Sequence, residues 1–85
     1  MTTRTSHATV TFAHPFALPG VDGVQPAGTY AVDTDEEMID SLNFVAWRRI
    51  ATTIHIRIHG AVELCAIDPR DLAASLARDA ATAPA

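Results

Sequence analysis

Nothing in this chain restricts its fold as much as the run over residues 42–58. Phe44, Ala46, Ile50, Ile54, Ile56 and Ile58 fall on even positions, while Asn43, Arg49, Thr53, His55, Arg57 and His59 fall on odd ones. A period of two sends alternate side chains to opposite faces of an extended chain, and β-branched isoleucine and threonine favour that state. Val45, Trp47 and Arg48 break the alternation. A bend or bulge near residues 47–49 accounts for the break, within one long strand or between two shorter ones. Bends of this kind occur where small sheets curl.

Val62 and Leu64 extend the even-numbered pattern past Gly60. Pairing Ile58 with Val62 and Ile56 with Leu64 keeps the aliphatic residues on one core face and leaves His59-Gly60-Ala61 as the loop. That register sets Arg57 opposite Glu63 and His55 opposite Cys65. A slip of one residue would carry Glu63 to the core face, so the pattern selects against it.

Towards the N-terminus, Thr9-Val10-Thr11-Phe12 alternates in the same way, and a strand is predicted from Ala8. Residues 1–7 are expected to be flexible. His14-Pro15 interrupts the strand, because proline donates no ladder hydrogen bond, yet Phe16 and Leu18 keep the phase of Val10 and Phe12. Pro19-Gly20 and Asp22-Gly23 mark turns in a loop that ends at Gly28. A second strand follows over residues 29–33, with Tyr30 and Val32 on one face. Thr34-Asp35-Glu36-Glu37 has the form of a capping box ahead of Met38, Ile39 and Leu42, which predicts a short helix or turn over residues 35–41. The last element is a helix capped by Asp68, with Pro69 at its first position and Leu72, Leu76 and Ala80 along its apolar stripe. Arg70, Arg78 and Asp79 lie on its wet side. Residues 81–85 are expected to form a flexible tail.

At 85 residues the chain holds one domain, assigned to residues 8–80. The fold class is α+β: a small antiparallel sheet of about four or five strands, curled and barrel-like, with a capped turn and one C-terminal helix. Cys65 is the only cysteine, so neither an internal disulfide nor a four-cysteine zinc site can form. A core this small, without a staple, makes self-association the expected supplement to stability.

Charge excludes further classes. The net charge is −4, and six arginines supply every basic side chain. That balance argues against partners such as nucleic acid or an anionic membrane surface. No run approaches the roughly 18 apolar residues of a membrane span, and the polar N-terminus lacks the apolar core of a secretory signal. The expected location is cytoplasmic.

Three constellations could carry chemistry. Asp33, Asp35, Glu36, Glu37 and Asp40 offer oxygen ligands, but an EF-hand would need a glycine and a closing glutamate that do not fit, and strand-end and capping roles account for them. His55 and His59 would share a metal on a helix; on a strand they stand ~13 Å apart. His55 across the hairpin from Cys65 makes half a metal or small-ligand site, or a nucleophile with a base. Both uses need groups that the sequence does not supply nearby. No Ser/His/Asp order, P-loop or G-x-G-x-x-G occurs, which argues against an enzyme, and no cofactor is expected. Trp47-Arg48-Arg49, with Tyr30, holds the residue types that dominate protein interfaces. The bland alternative is a core tryptophan with two solvated arginines that pair the acidic residues.

The run Pro26-Ala27-Gly28-Thr29-Tyr30, Val32, Thr34-Asp35-Glu36-Glu37, then Phe44, Ala46, Trp47-Arg48-Arg49 and Ala51-Thr52, resembles a set of short uncharacterised proteins from alphaproteobacteria. The resemblance covers residues 16–56. It implies that the acidic segment and the aromatic-arginine segment belong together, and it implies no activity, substrate or partner. The residues therefore point to a non-enzymatic interaction module, self-associating or bound to a protein partner, that uses Trp47, Arg48, Arg49, Tyr30 and a sheet edge. A metal or small-ligand binder built on His55, Cys65 and His59, or on residues 33–40, is the alternative.

Overall fold

The isoleucine run forms one continuous strand. In the computed structural model, which describes residues 2–40 and 44–82, the strands are β1 (Thr3–Phe12), β2 (Gly28–Asp40), β3 (Val45–Ile58) and β4 (Ala61–Ile67), followed by the helix α1 (Pro69–Ala81). The four strands make one antiparallel sheet in the order β1-β2-β3-β4. The arrangement is α+β, as predicted. The sheet stays open, however, with β1 and β4 as its edges, and it is not closed into a barrel.

A single bulge explains the broken alternation. Asp35 pairs with Ala51 and Glu36 with Arg49, which leaves Ile50 as the extra residue on β3. Beyond the bulge the phase inverts, so Trp47 and Arg49 share the face of Ile54 and Ile56, while Arg48 turns to the other face.

Three expectations are corrected. Residues 34–40 form no capped turn; they continue β2, because residues 34–37 pair with both β1 and β3, and residues 38–40 with β3 as far as Val45. Ser41, the end of the expected turn, and Leu42 after it lie outside the described residues. Local capping chemistry lost to cross-strand pairing. For the same reason residues 3–7 are not a flexible tail but the first half of β1, laddered to residues 33–37. At the other end, Ala81 closes the helix and Thr82 caps it, its N–H reaching the carbonyls of Arg78 and Asp79.

The third correction is the hairpin register. Ile58 pairs with Ala61, Arg57 with Val62, Ile56 with Glu63, His55 with Leu64 and Ile54 with Cys65. The loop shrinks to His59-Gly60, both with positive φ (50° and 80°), the turn whose twist matches its flanking strands. The register rejected from sequence is the one adopted. Glu63 takes a core-face position on an edge strand and remains exposed, so its charge stays in water. In exchange Cys65 and Ile67 enter the core, and Val62 and Leu64 are left 56% and 62% exposed on the opposite face.

The core sits on one face of the sheet, at the end nearest the helix. Ile54 and Ile56 are fully buried beside Phe12, Phe16, Leu18, Val32, Cys65, Ile67 and Leu72. Phe12 and Phe16 stack with ring centroids 3.6 Å apart, so the phase kept across Pro15 does deliver both rings to the core. Between Leu18 and Val21, Pro19 and Gly20 (φ +95°) form a type II turn closed by a 3.0 Å hydrogen bond. Asp68 caps α1 by accepting from the Arg70 N–H. Asp79, expected in water, instead accepts from the Ala13 and His14 amides at 2.9 Å and ties the helix to the chain after β1. Ser75, buried, donates to the Ala17 carbonyl.

Candidate functional site

The strands outrun the core. β2 and β3 span 13 and 14 residues, yet none of residues 33–40 or 44–51 is buried. The far half of the sheet, formed by β1, β2 and β3 alone, projects beyond β4, and the molecule measures 54 × 30 × 18 Å.

Trp47 stands on this projecting half, on the core-side face but outside the core. It pairs with Met38 across the ladder, and the Arg4 guanidinium lies 3.9 Å from its ring centroid. Arg4 also donates to Glu36 at 3.0 Å. Arg49 flanks Trp47 on the same face and makes no ion pair among the described residues. Arg48 lies on the opposite face, bonded to Glu37. Tyr30 does not join the group. It is eight positions along β2 from Met38, about 26 Å for an extended chain. Its ring stands edge-on to Phe12 and Phe16, and its hydroxyl donates to the Pro26 carbonyl. Burial raises its pKa. The same half of the sheet carries the exposed apolar residues Ile39, Phe44, Val45 and the bulged Ile50, of which Val45 shares the Trp47 face and Ile39 lies on the other.

Four of the five acidic residues, Asp33, Asp35, Glu36 and Glu37, are consumed by cross-strand pairing. Asp35 accepts from the Thr5 hydroxyl at 2.6 Å, and Glu36 and Glu37 bind Arg4 and Arg48. Asp33 takes two histidines, His7 Nδ1 at 2.6 Å and His55 Nε2 at 2.7 Å. Those two hydrogen bonds hold the Asp33 carboxyl below the usual carboxylate range. The His7–Asp33–His55 bridge was missed from sequence because its members lie 26 and 22 residues apart and only the strand register unites them. No group of three or more ligand side chains among the described residues could hold a metal.

The sequence-predicted metal candidates are dispersed. Cys65 points into the core opposite Ile54, and His55 faces the other side of the sheet. One residue of hairpin register separates the expected half-site from this outcome. Burial, and secondarily Glu63, push the Cys65 thiol up, the opposite of an activated nucleophile. His59 occupies the turn.

No protein-family model, curated protein or solved structure matches this chain. Among the described residues, no helix is long and apolar enough to cross a membrane.

Proposed function

We propose that this chain is a non-enzymatic, cytoplasmic protein-interaction module that associates, with a second copy or a protein partner, through the projecting half of its sheet. One observation carries the reading. The chain builds strands of 13 and 14 residues, more than twice the usual length, and leaves a tryptophan, a methionine and several exposed aliphatic residues on the part that no helix covers. Trp47 and Arg49 form the centre of the surface, Ile50 and Val45 its apolar margin, and Arg48 the opposite rim. Aromatic and arginine anchors with an apolar surround match the composition of interface centres. The open edge of β1 adds unpaired backbone groups that a further strand could use, whereas β4 carries Glu63 on its core face, a charge that discourages strand addition.

Native mass spectrometry of the untagged chain tests this. A homo-oligomer or hetero-complex that dissociates in Trp47→Ala supports the reading. A strict monomer over the concentration range, with no co-purifying protein, removes it.

A further inference from the structure

The sheet face turned away from α1 holds a second feature, independent of the association surface. In its proximal half the middle of that face is made of small side chains, Thr9, Thr29 and Ala31, bordered by the larger His55, Arg57 and Val62 and by segment 26–28. Small side chains ringed by larger ones leave a depression, here of about 630 Å³. That volume lies within the range of small-molecule sites. The Tyr30 hydroxyl, bonded to the Pro26 carbonyl, fixes one border.

The polar groups in this cleft have a consistent chemistry. Arg57 makes no ion pair among the described residues, so its guanidinium is uncommitted. His55 is oriented by Asp33 through Nε2, which leaves Nδ1 uncommitted. We propose that the cleft binds a small monocarboxylate with an apolar body. Arg57 takes the carboxylate through paired N–H donors, a planar match that guanidinium makes well. Pro26, Ala31 and Val62 receive the apolar part. A phosphate dianion suits the cleft less. No residue of α1 lines it, so no helix N-terminus faces the anion; Asp33 lies one hydrogen bond beyond His55; and the chain carries a net charge of −4.

The test is an NMR titration of the full chain with benzoate as the probe and inorganic phosphate as the comparison. The expected result is saturable shifts at Thr9, Ala31, His55 and Arg57, with a Kd on the order of 1 mM, and none at Glu36 or Met38. Arg57→Ala should weaken benzoate at least tenfold and Arg57→Lys by a smaller factor, because the ammonium keeps the charge but loses the paired donors. Arg57 is exposed, and a dispersed spectrum confirms that each variant is folded; Arg57→Gln replaces the alanine variant if it is not. Shifts that do not saturate, binding unchanged in the alanine or glutamine variant, or phosphate binding more tightly than benzoate would each overturn the proposal.

Discussion

Replacing Trp47 by alanine separates an association surface from a core, because the two roles carry different free energies. Among the described residues, the Arg4 guanidinium lies 3.9 Å from the Trp47 ring and Met38 is its cross-strand pair. A cation–π contact at an exposed site contributes about 0.5–1 kcal/mol, and a cross-strand pair about 0.2–1 kcal/mol. Their loss should therefore destabilise the monomer by about 1–2 kcal/mol. A core tryptophan truncated to alanine would cost about 3–5 kcal/mol, a large part of the ~4–13 kcal/mol that a chain of this size commands. Ile54→Ala provides the internal standard. Ile54 is fully buried, and its loss should cost about 2–5 kcal/mol. The assay is urea unfolding at a concentration where the protein is monomeric. It must be followed by circular dichroism, because Trp47 is the only tryptophan and fluorescence disappears with it. Sedimentation equilibrium on the same samples should give a dissociation constant at least ~10-fold weaker for the Trp47 variant, equivalent to about 1.4 kcal/mol. The reasoning fails if the variant loses 3 kcal/mol or more as a monomer while its assembly is unchanged.

Three further outcomes follow from the geometry. Gly20→Ala should cost upwards of about 2 kcal/mol, because its Cβ would meet the Ala66 carbonyl oxygen at 2.6 Å in a left-handed backbone; Gly60→Ala, with open space around it, should cost about 1 kcal/mol, both read from thermal melts. The Asp33 and Asp79 carboxyls have lowered folded pKa values, the first chiefly through His7 and the second chiefly through the Ala13 amide. Such groups stabilise above the unfolded carboxylate value near 4 and lose that contribution as pH falls through their folded values, so Asp33→Asn and Asp79→Asn should each flatten the drop in melting temperature between about pH 5 and about pH 2.5. Cys65, buried and with a raised pKa, should react with a disulfide reagent at neutral pH about 100-fold more slowly in the folded protein than in urea; comparable rates would place it outside the core.

Hydrophobic period made the order of residues 10–18 legible. The even phase of Val10, Phe12, Phe16 and Leu18 survives an intervening proline because burial of the aromatic rings depends on phase, not on unbroken strand. The capped helix from Asp68 was equally legible, since its cap, its proline and its stripe are local. The acidic segment was misread for a related reason. Thr34 through Glu37 satisfies a local helix-start rule, but that rule competes with three cross-strand side-chain partners that no local window contains, Thr5, Arg4 and Arg48, next to the His7–Asp33–His55 bridge. Wherever a segment has partners on both sides in a sheet, summed pairing outweighs a single cap.

The candidate site was less legible because it depends on register to one residue. The expected hairpin kept Glu63 out of the core face on the premise that a core face is dry along its whole length. On an edge strand that premise fails: a carboxylate at the rim reaches water at little cost, and a two-residue turn with His59 and Gly60 at positive φ matches the strand twist better than a three-residue loop. This single shift buries Cys65, removes its pairing with His55, and moves Val62 and Leu64 to the face away from the helix, where His55 and Arg57 already lie. The same shift therefore dissolves the metal half-site and assembles the cleft. A substitution that favours the longer loop should lose both core burial of Cys65 and the Arg57 cleft together, because the register couples the two faces of the sheet.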